Sequence, residues 1–172
     1  TIKIEHLKFL ENKILNKEFD LAEDIIENLS KENFNIPTIK LLYANSKALN
    51  KKSTIQDKKI AFDIFYEIYI SNKKLINLLY NICALCFELE KYNETLFLTE
   101  KFILTNGYDS KIYNTLYKIY AALGETKKAN SILKKIIKKE KSNLKSWSAL
   151  LFTSLNLEDV FQNEIYELSK DF

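Results

Sequence analysis

Side chains of matched character recur along this chain at a fixed interval of about 34 residues, a spacing that constrains its fold more than any other feature. Ala61, Thr95 and Ala129 keep step, as do Phe65, Thr99 and Leu133, and Ile68, Phe102 and Ile136. A second set keeps the same interval: Leu79, Tyr113 and Trp147; Ile82, Leu116 and Leu150; Cys83, Tyr117 and Leu151. A period of this length marks stacked supersecondary units, none of which buries its apolar face alone. Such a stack presents an extended surface, so the expected class of function is interaction.

The units read as pairs of antiparallel helices, because two glycines and one proline in 172 residues leave little material for hairpins or flexible linkers. In the clearest unit Ile112, Tyr113, Leu116, Tyr117, Ile119 and Tyr120 form a helical stripe. Gly124 then ends the helix, and Ala129, Ile132, Leu133, Ile136 and Ile137 make the apolar face of the next. Upstream, Leu75, Leu78, Leu79, Ile82 and Leu85 form one helix, followed by Leu96, Phe97 and a Phe102, Ile103, Leu104 cluster. Asn106-Gly107 closes that unit and Asp109 is placed to cap the helix after it. The first unit runs Ile4, Leu7, Phe9, Leu10, Ile14, then Phe19, Ala22, Ile25, Ile26 and Leu29, and Pro37 fits the first turn of the next helix. The interval from Ala22 to Ala61 is longer than the period, and the surplus falls in the polar stretch Asn50 to Asp57, where Ser53 and Gln56 have capping-box spacing. A last unit starts near Asn143 and continues through Asp159 into the segment from Glu164 to Leu168. The expectation is one all-α domain over 1–172, with units at roughly 3–35, 37–72, 74–107, 109–141 and 143–170.

These residues resemble the tetratricopeptide repeat. Tyr113 or Trp147 stands for the early bulky residue of the first helix, and Cys83 or Tyr117 for the mid-helix residue. Leu123-Gly124 stands for the turn, and Ala22, Ala61 and Ala129 for the small residue of the second helix. Phe19 before Ala22 and Tyr92 before Thr95 match the aromatic entry to that second helix. The pattern is degenerate: Thr95 and Asn163 replace the small residue, and the proline between repeats survives only near Pro37. The resemblance implies a right-handed α-solenoid of about five helix pairs, its concave wall built from the first helix of each pair.

Several kinds of chemistry are disfavoured. The net charge of +3 sets up no strong global field, and all 26 basic residues are lysine, so bidentate guanidinium recognition of phosphate is excluded. On that ground nucleic-acid binding is not expected. No apolar run reaches the ~20 residues that span a bilayer. No secretory leader pattern is present, and methionine is absent, so Thr1 is compatible with a removed signal peptide, a removed initiator or an excised domain. Two cysteines make no disulfide scaffold, which fits a cytoplasmic protein. Cys83 and Cys86 have C-x-x-C spacing, but they fall in register with Tyr117/Leu151 and Tyr120/Ser154, interior positions of the repeat. Zinc needs two more ligands and His6 is the only histidine, so neither a metal site nor a cofactor site is expected. A lone histidine without a paired nucleophile points to no catalysis. Two isolated glycines make no phosphate loop, and no small-molecule substrate is implied.

Two charged surfaces remain. Lys127, Lys128, Lys134, Lys135, Lys138, Lys139, Lys141 and Lys145 have only Glu125 and Glu140 among them, and read mainly as the solvated face of one helix. Glu18, Asp20, Glu23, Asp24 and Glu27 give the first pair the opposite sign, which makes a head-to-tail homo-oligomer conceivable. The partner-binding candidates are first-helix residues that packing does not need: Asn45, Asn77, Tyr80, Lys111, Asn114, Lys118, Lys145, Ser148 and Phe152. Lys111, Asn114 and Lys118 share one helical stripe, and lysine charge with an asparagine amide suits a peptide's carboxylates and backbone. This loosely resembles the carboxylate clamp of some tetratricopeptide proteins, though the residues do not follow its order. The expected function is a non-enzymatic scaffold holding a protein or peptide on the concave face. The alternative is the recruiting or oligomerising domain of a larger enzyme such as a glycosyl- or sulfotransferase.

Overall fold

Helix ends in this chain are set by a few local devices. The structure is a computed structural model describing residues 3–29, 31–154, 166–167 and 169–170. Among these, all regular structure is helical: α1 (Ile4–Leu15), α2 (Phe19–Glu27), a single turn α3 (Lys31–Phe34), α4 (Pro37–Leu49), α5 (Ile55–Ser71), α6 (Ile76–Cys86), α7 (Tyr92–Asn106), α8 (Ser110–Ala122), α9 (Thr126–Lys139) and α10 (Leu144–Ser154). Pro37 opens α4, where a missing N–H costs nothing. Asp109 accepts from the Ile112 amide at 3.0 Å and caps α8.

The capping box of α5 lies one residue later than the sequence suggests. Thr54 and Asp57 form it, not Ser53 and Gln56: the Asp57 amide donates to Thr54 Oγ1 at 3.2 Å and the Thr54 amide to Asp57 Oδ2 at 2.9 Å. A carboxylate accepts more strongly than an amide oxygen and favours the positive end of the helix, so the Thr-x-x-Asp frame wins over the overlapping Ser-x-x-Gln frame.

Three helices end in the same left-handed turn. Lys17 (φ 62°), Glu90 (φ 54°) and Gly124 (φ 73°) each stand two residues before the next helix begins. Each is followed by the amide that closes a six-residue cap: Glu18 to the Lys13 carbonyl at 2.8 Å, Lys91 to Cys86 at 2.9 Å, and Glu125 to Tyr120 at 2.9 Å. Glu90 and Gly124 stand one period apart, so the repeat fixes the backbone even where it does not fix the residue.

The helices gather into two compact units, Thr1–Lys91 and Tyr92–Phe172. In the first, α4 packs against α1, α2, α3 and α5, and α5 packs in turn against α6. Its core includes Leu10, Ala22, Ile26, Ile39, Phe62, Phe65, Leu79 and Ile82, all nearly or fully buried. In the second, α8 packs on α7 and α9, and α9 on α10, around Ile112, Leu116, Ile119, Leu133, Ile136 and Leu150. Burying each of the leucine, isoleucine and phenylalanine side chains contributes roughly 1.5–3 kcal/mol, so packing at the matched positions, not helix propensity, holds the units together.

The period and burial agree closely at the small-residue position, where Ala22, Ala61 and Thr95 are 0% exposed and Ala129 2%. A small side chain there lets neighbouring helices approach. Agreement fails at some expected interior positions. Leu151 is 49% exposed although its counterpart Cys83 is buried, and Leu104 is 85% exposed. Ile4 and Phe9 face outward from α1, leaving Leu10 as its buried residue. The second helix expected for the last unit, with Asp159, Asn163 and Glu164, lies outside the described residues.

Candidate functional site

The stripe carried by α8 is laid down by helical spacing: Lys111, Asn114 and Lys118 stand at i, i+3 and i+7, opposite the buried Ile112, Leu116 and Ile119. Lys111 and Lys118 are exposed and Asn114 is half-buried. Asn114 Nδ2 donates to the Ser110 carbonyl at 2.8 Å, which anchors the side chain and leaves its carbonyl oxygen as the outward group. The amide expected to donate to a partner is thus engaged within its own helix. On α10, Lys145, Ser148 and Phe152 occupy the same three positions one period later, all exposed, with Phe152 at 72%. Lys118 and Lys145 take part in no ion pair among the described residues. Both helices pack against α9, which fixes their backbones without using these side chains.

Asn45, Asn77 and Tyr80 belong to the other unit. Asn45 on α4 is half-buried and accepts from Asn81 Nδ2 at 3.5 Å, so it serves α4–α6 packing as well as facing outward. Asn77 is exposed and Tyr80 half-buried on α6, at the positions that Lys111 and Asn114 hold one period later. The nine candidates therefore divide into three in the first unit and six in the second.

The densest polar cluster in the first unit went unforeseen. Lys47 on α4 has a side chain only 7% exposed, and its ammonium lies 2.9 Å from Asp57 Oδ1, 3.0 Å from Glu23 Oε2 and 3.5 Å from Glu27 Oε1. It also sits 4.8 Å from the Tyr43 ring centre, and Tyr43 donates its hydroxyl to Glu27 at 2.6 Å. Burial alone would lower the Lys47 pKa, but the hydrogen bonds to Asp57 and Glu23 outweigh it and the pKa is raised. A nucleophilic or basic lysine needs the opposite shift, so this ammonium acts as a rivet between α2, α4 and α5. Burial, then the Glu27 bond, pushes the Tyr43 phenol up to about 12.

The same cluster occupies most of the acidic face of α2. Besides Glu23 and Glu27, Asp20 pairs with Lys52 at 2.5 Å and accepts from Asn50 at 2.8 Å, while Glu18 pairs with Lys13 at 2.8 Å. Four of the five acids expected to meet a second copy are thus already matched within the unit.

Aromatic hydroxyls tie helices together in the second unit too. Tyr120 donates to Glu100, and Tyr108 donates to Glu140 at 2.7 Å. Burial, then the Glu140 bond, raises the Tyr108 phenol to about 12. Cys83 and Cys86 are buried thiols, and Cys86 Sγ donates to the Lys91 carbonyl at 3.6 Å. His6 is exposed on α1. Among the described residues no group of three or more His, Cys, Asp or Glu side chains is arranged to hold a metal ion. Nor, among them, is any helix long and apolar enough to cross a membrane.

No protein-family profile matches this chain, and no curated protein matches it. In structure it is similar to the MamA RS-1 ArsTM double mutant, with a TM-score of 0.69 and 14% sequence identity over 95% of this chain and 92% of that one. MamA contains tetratricopeptide repeats, and at this identity the likeness speaks to the fold alone. The chain has an all-α, helical-repeat fold of the tetratricopeptide-like kind.

Proposed function

We propose that this chain is a non-enzymatic scaffold that holds a segment of a partner protein on the exposed stripes of its first-of-pair helices. One observation carries the reading: α8 and α10 present the same three repeat positions outward, as Lys111, Asn114, Lys118 and Lys145, Ser148, Phe152. A surface that recurs on rigid, well-packed helices is preformed, so a segment docks there with little reorganisation cost. Three lysines favour carboxylates on that segment, Phe152 supplies an apolar anchor, and the Asn114 carbonyl accepts a backbone amide.

The test is affinity capture with mass spectrometry, comparing the chain with its Lys111→Ala, Asn114→Ala, Lys118→Ala triple variant. Capture of a partner should fall at least about tenfold while the helical circular dichroism is unchanged. Equal capture by the two baits places the binding surface elsewhere.

A further inference from the structure

The second unit holds a cleft that the proposed stripes do not use. It opens between α7, α8 and α9 with a volume of about 400 Å³. The Tyr120 ring and Leu116 on α8 line it, with Ile103 and Leu104 of α7 and Ile132 of α9. Leu104 is 85% exposed, so its side chain stands at the open edge of the recess. Tyr120 is held in place by donating its hydroxyl to Glu100, and Lys128 stands 5.5 Å from its ring centre.

The rim is basic. Helix α9 carries six lysines and no carboxylate. Two of them, Lys128 and Lys135, line the cleft seven residues apart, with Ser131 between them. Seven residues is two helical turns, about 10 Å of axial rise, so the two ammonium groups lie on one edge. Lys135 is exposed and forms no ion pair among the described residues, and Lys128, besides its place over the Tyr120 ring, makes a 3.5 Å solvent-exposed ion pair with Glu125. The carboxylate of Glu100, the acid among the lining residues, is engaged by Tyr120.

We infer that this cleft docks an acidic amphipathic helix of a partner protein, which seats an apolar side chain between Leu104 and Ile132 and sets carboxylates against Lys128 and Lys135. Charge complementarity selects this occupant. A helix with glutamates seven residues apart and leucine between them repeats the spacing of the rim, and a purely apolar segment would leave both lysines unmatched. Ser131 is the opening: its short side chain leaves the space between the lysines unfilled.

A fluorescein-labelled helical peptide with that Glu/Leu spacing, followed by fluorescence anisotropy, tests the inference. Binding should be saturable and should weaken at least about tenfold in Ser131→Phe, which plugs the recess without altering charge. It should weaken similarly in Lys128→Glu, Lys135→Glu, and a peptide carrying lysines in place of the glutamates should regain binding to that double variant. Both variants change exposed positions, so helicity and melting temperature serve as folding controls. The Lys111, Asn114, Lys118 triple variant should bind the peptide normally, which separates this cleft from the stripe on α8. Unchanged affinity in Ser131→Phe, failure of the charge-swapped peptide, or binding to phosphatidylserine vesicles in place of the peptide would each overturn the inference.

Discussion

Lys47 and Asp57 share one contact that settles two problems at once. The ammonium lies 2.9 Å from Asp57 Oδ1 while the other oxygen of the same carboxylate accepts the Thr54 amide at 2.9 Å. One side chain therefore neutralises a buried cation on α4 and starts α5. Lys47→Ala should cost about 3–5 kcal/mol, since it leaves Glu23 and Asp57 facing each other without a cation. Asp57→Ala should cost less, about 2–3 kcal/mol, because Lys47 keeps Glu23 and the backbone amide of residue 57 still donates to Thr54 Oγ1, so α5 loses only the carboxylate half of its capping box. Urea unfolding of the two variants gives the order; the reverse order would mean that the cap matters more than the ion pair.

The same pair sets a pH dependence. Hydrogen bonds from Lys47 and Thr54 hold the Asp57 pKa at about 2, below its ordinary 3.8. The folded state thus binds this proton more weakly than the unfolded state. Its contribution is complete above about pH 4 and is lost as the pH falls through about 2. Urea midpoints for the parent chain should drop over that window more steeply than those of Asp57→Asn, which lacks the titration. Parallel curves would show that Asp57 is not the group responsible.

The left-handed turns make a comparison within one chain. Glu90 at φ 54° pays the steric cost of a β-carbon that Gly124 at φ 73° avoids. Glu90→Gly should stabilise by about 0.5–1 kcal/mol, and Gly124→Ala should destabilise by about 1 kcal/mol even though nothing lies within 4 Å of the position its β-carbon would take. Thermal melts decide it, a gain in both variants being inconsistent with backbone strain.

Phe152 is 72% exposed, so its removal should leave stability within about 0.5 kcal/mol. If the α10 stripe binds a partner segment, Phe152→Ala should still cut capture several-fold, whereas truncating the exposed Phe97 on α7 should not. Raising the salt concentration should weaken capture by the Lys118 and Lys145 side chains but leave the Phe152 contribution in place. Identical losses at Phe97 and Phe152 would point to non-specific apolar adhesion.

The helices were legible because a long, regular period can be read without knowing the structure, and Ala22, Ala61 and Ala129 proved buried. The chemistry of single residues at their ends was legible too, as at Asp109, Gly107 and Gly124. Lys47 was not. It is one of 26 lysines, most of which face solvent, and the lengthened interval around it breaks the register that would have marked it as interior. The α8 stripe could be read from helical spacing, but the tie from Asn114 to Ser110 could not, because it depends on a rotamer. The basic cleft was hidden for a different reason: opposite an apolar stripe, Lys128 and Lys135 look the same whether they face open solvent or the edge of a recess.

Thr95 and Thr99 sit one turn apart on α7, both 0% exposed, and predict opposite responses to the same substitution. The Thr99 hydroxyl donates to the Thr95 carbonyl at 2.8 Å and the Leu96 carbonyl at 3.0 Å. Thr95 Oγ1 is buried with no hydrogen-bond partner among the described residues. Valine matches threonine in shape and removes only the hydroxyl. Thr95→Val should therefore stabilise by about 1 kcal/mol, since a buried unpaired polar group is lost at no cost in volume. Thr99→Val gives up satisfied hydrogen bonds and should destabilise by about 1 kcal/mol. The two melting temperatures should move apart by several degrees for a chain of this size, one up and one down. A fall in melting temperature for Thr95→Val as well would show that the Thr95 hydroxyl is paired after all, and that the repeat tolerates threonine at its small-residue position by bonding it.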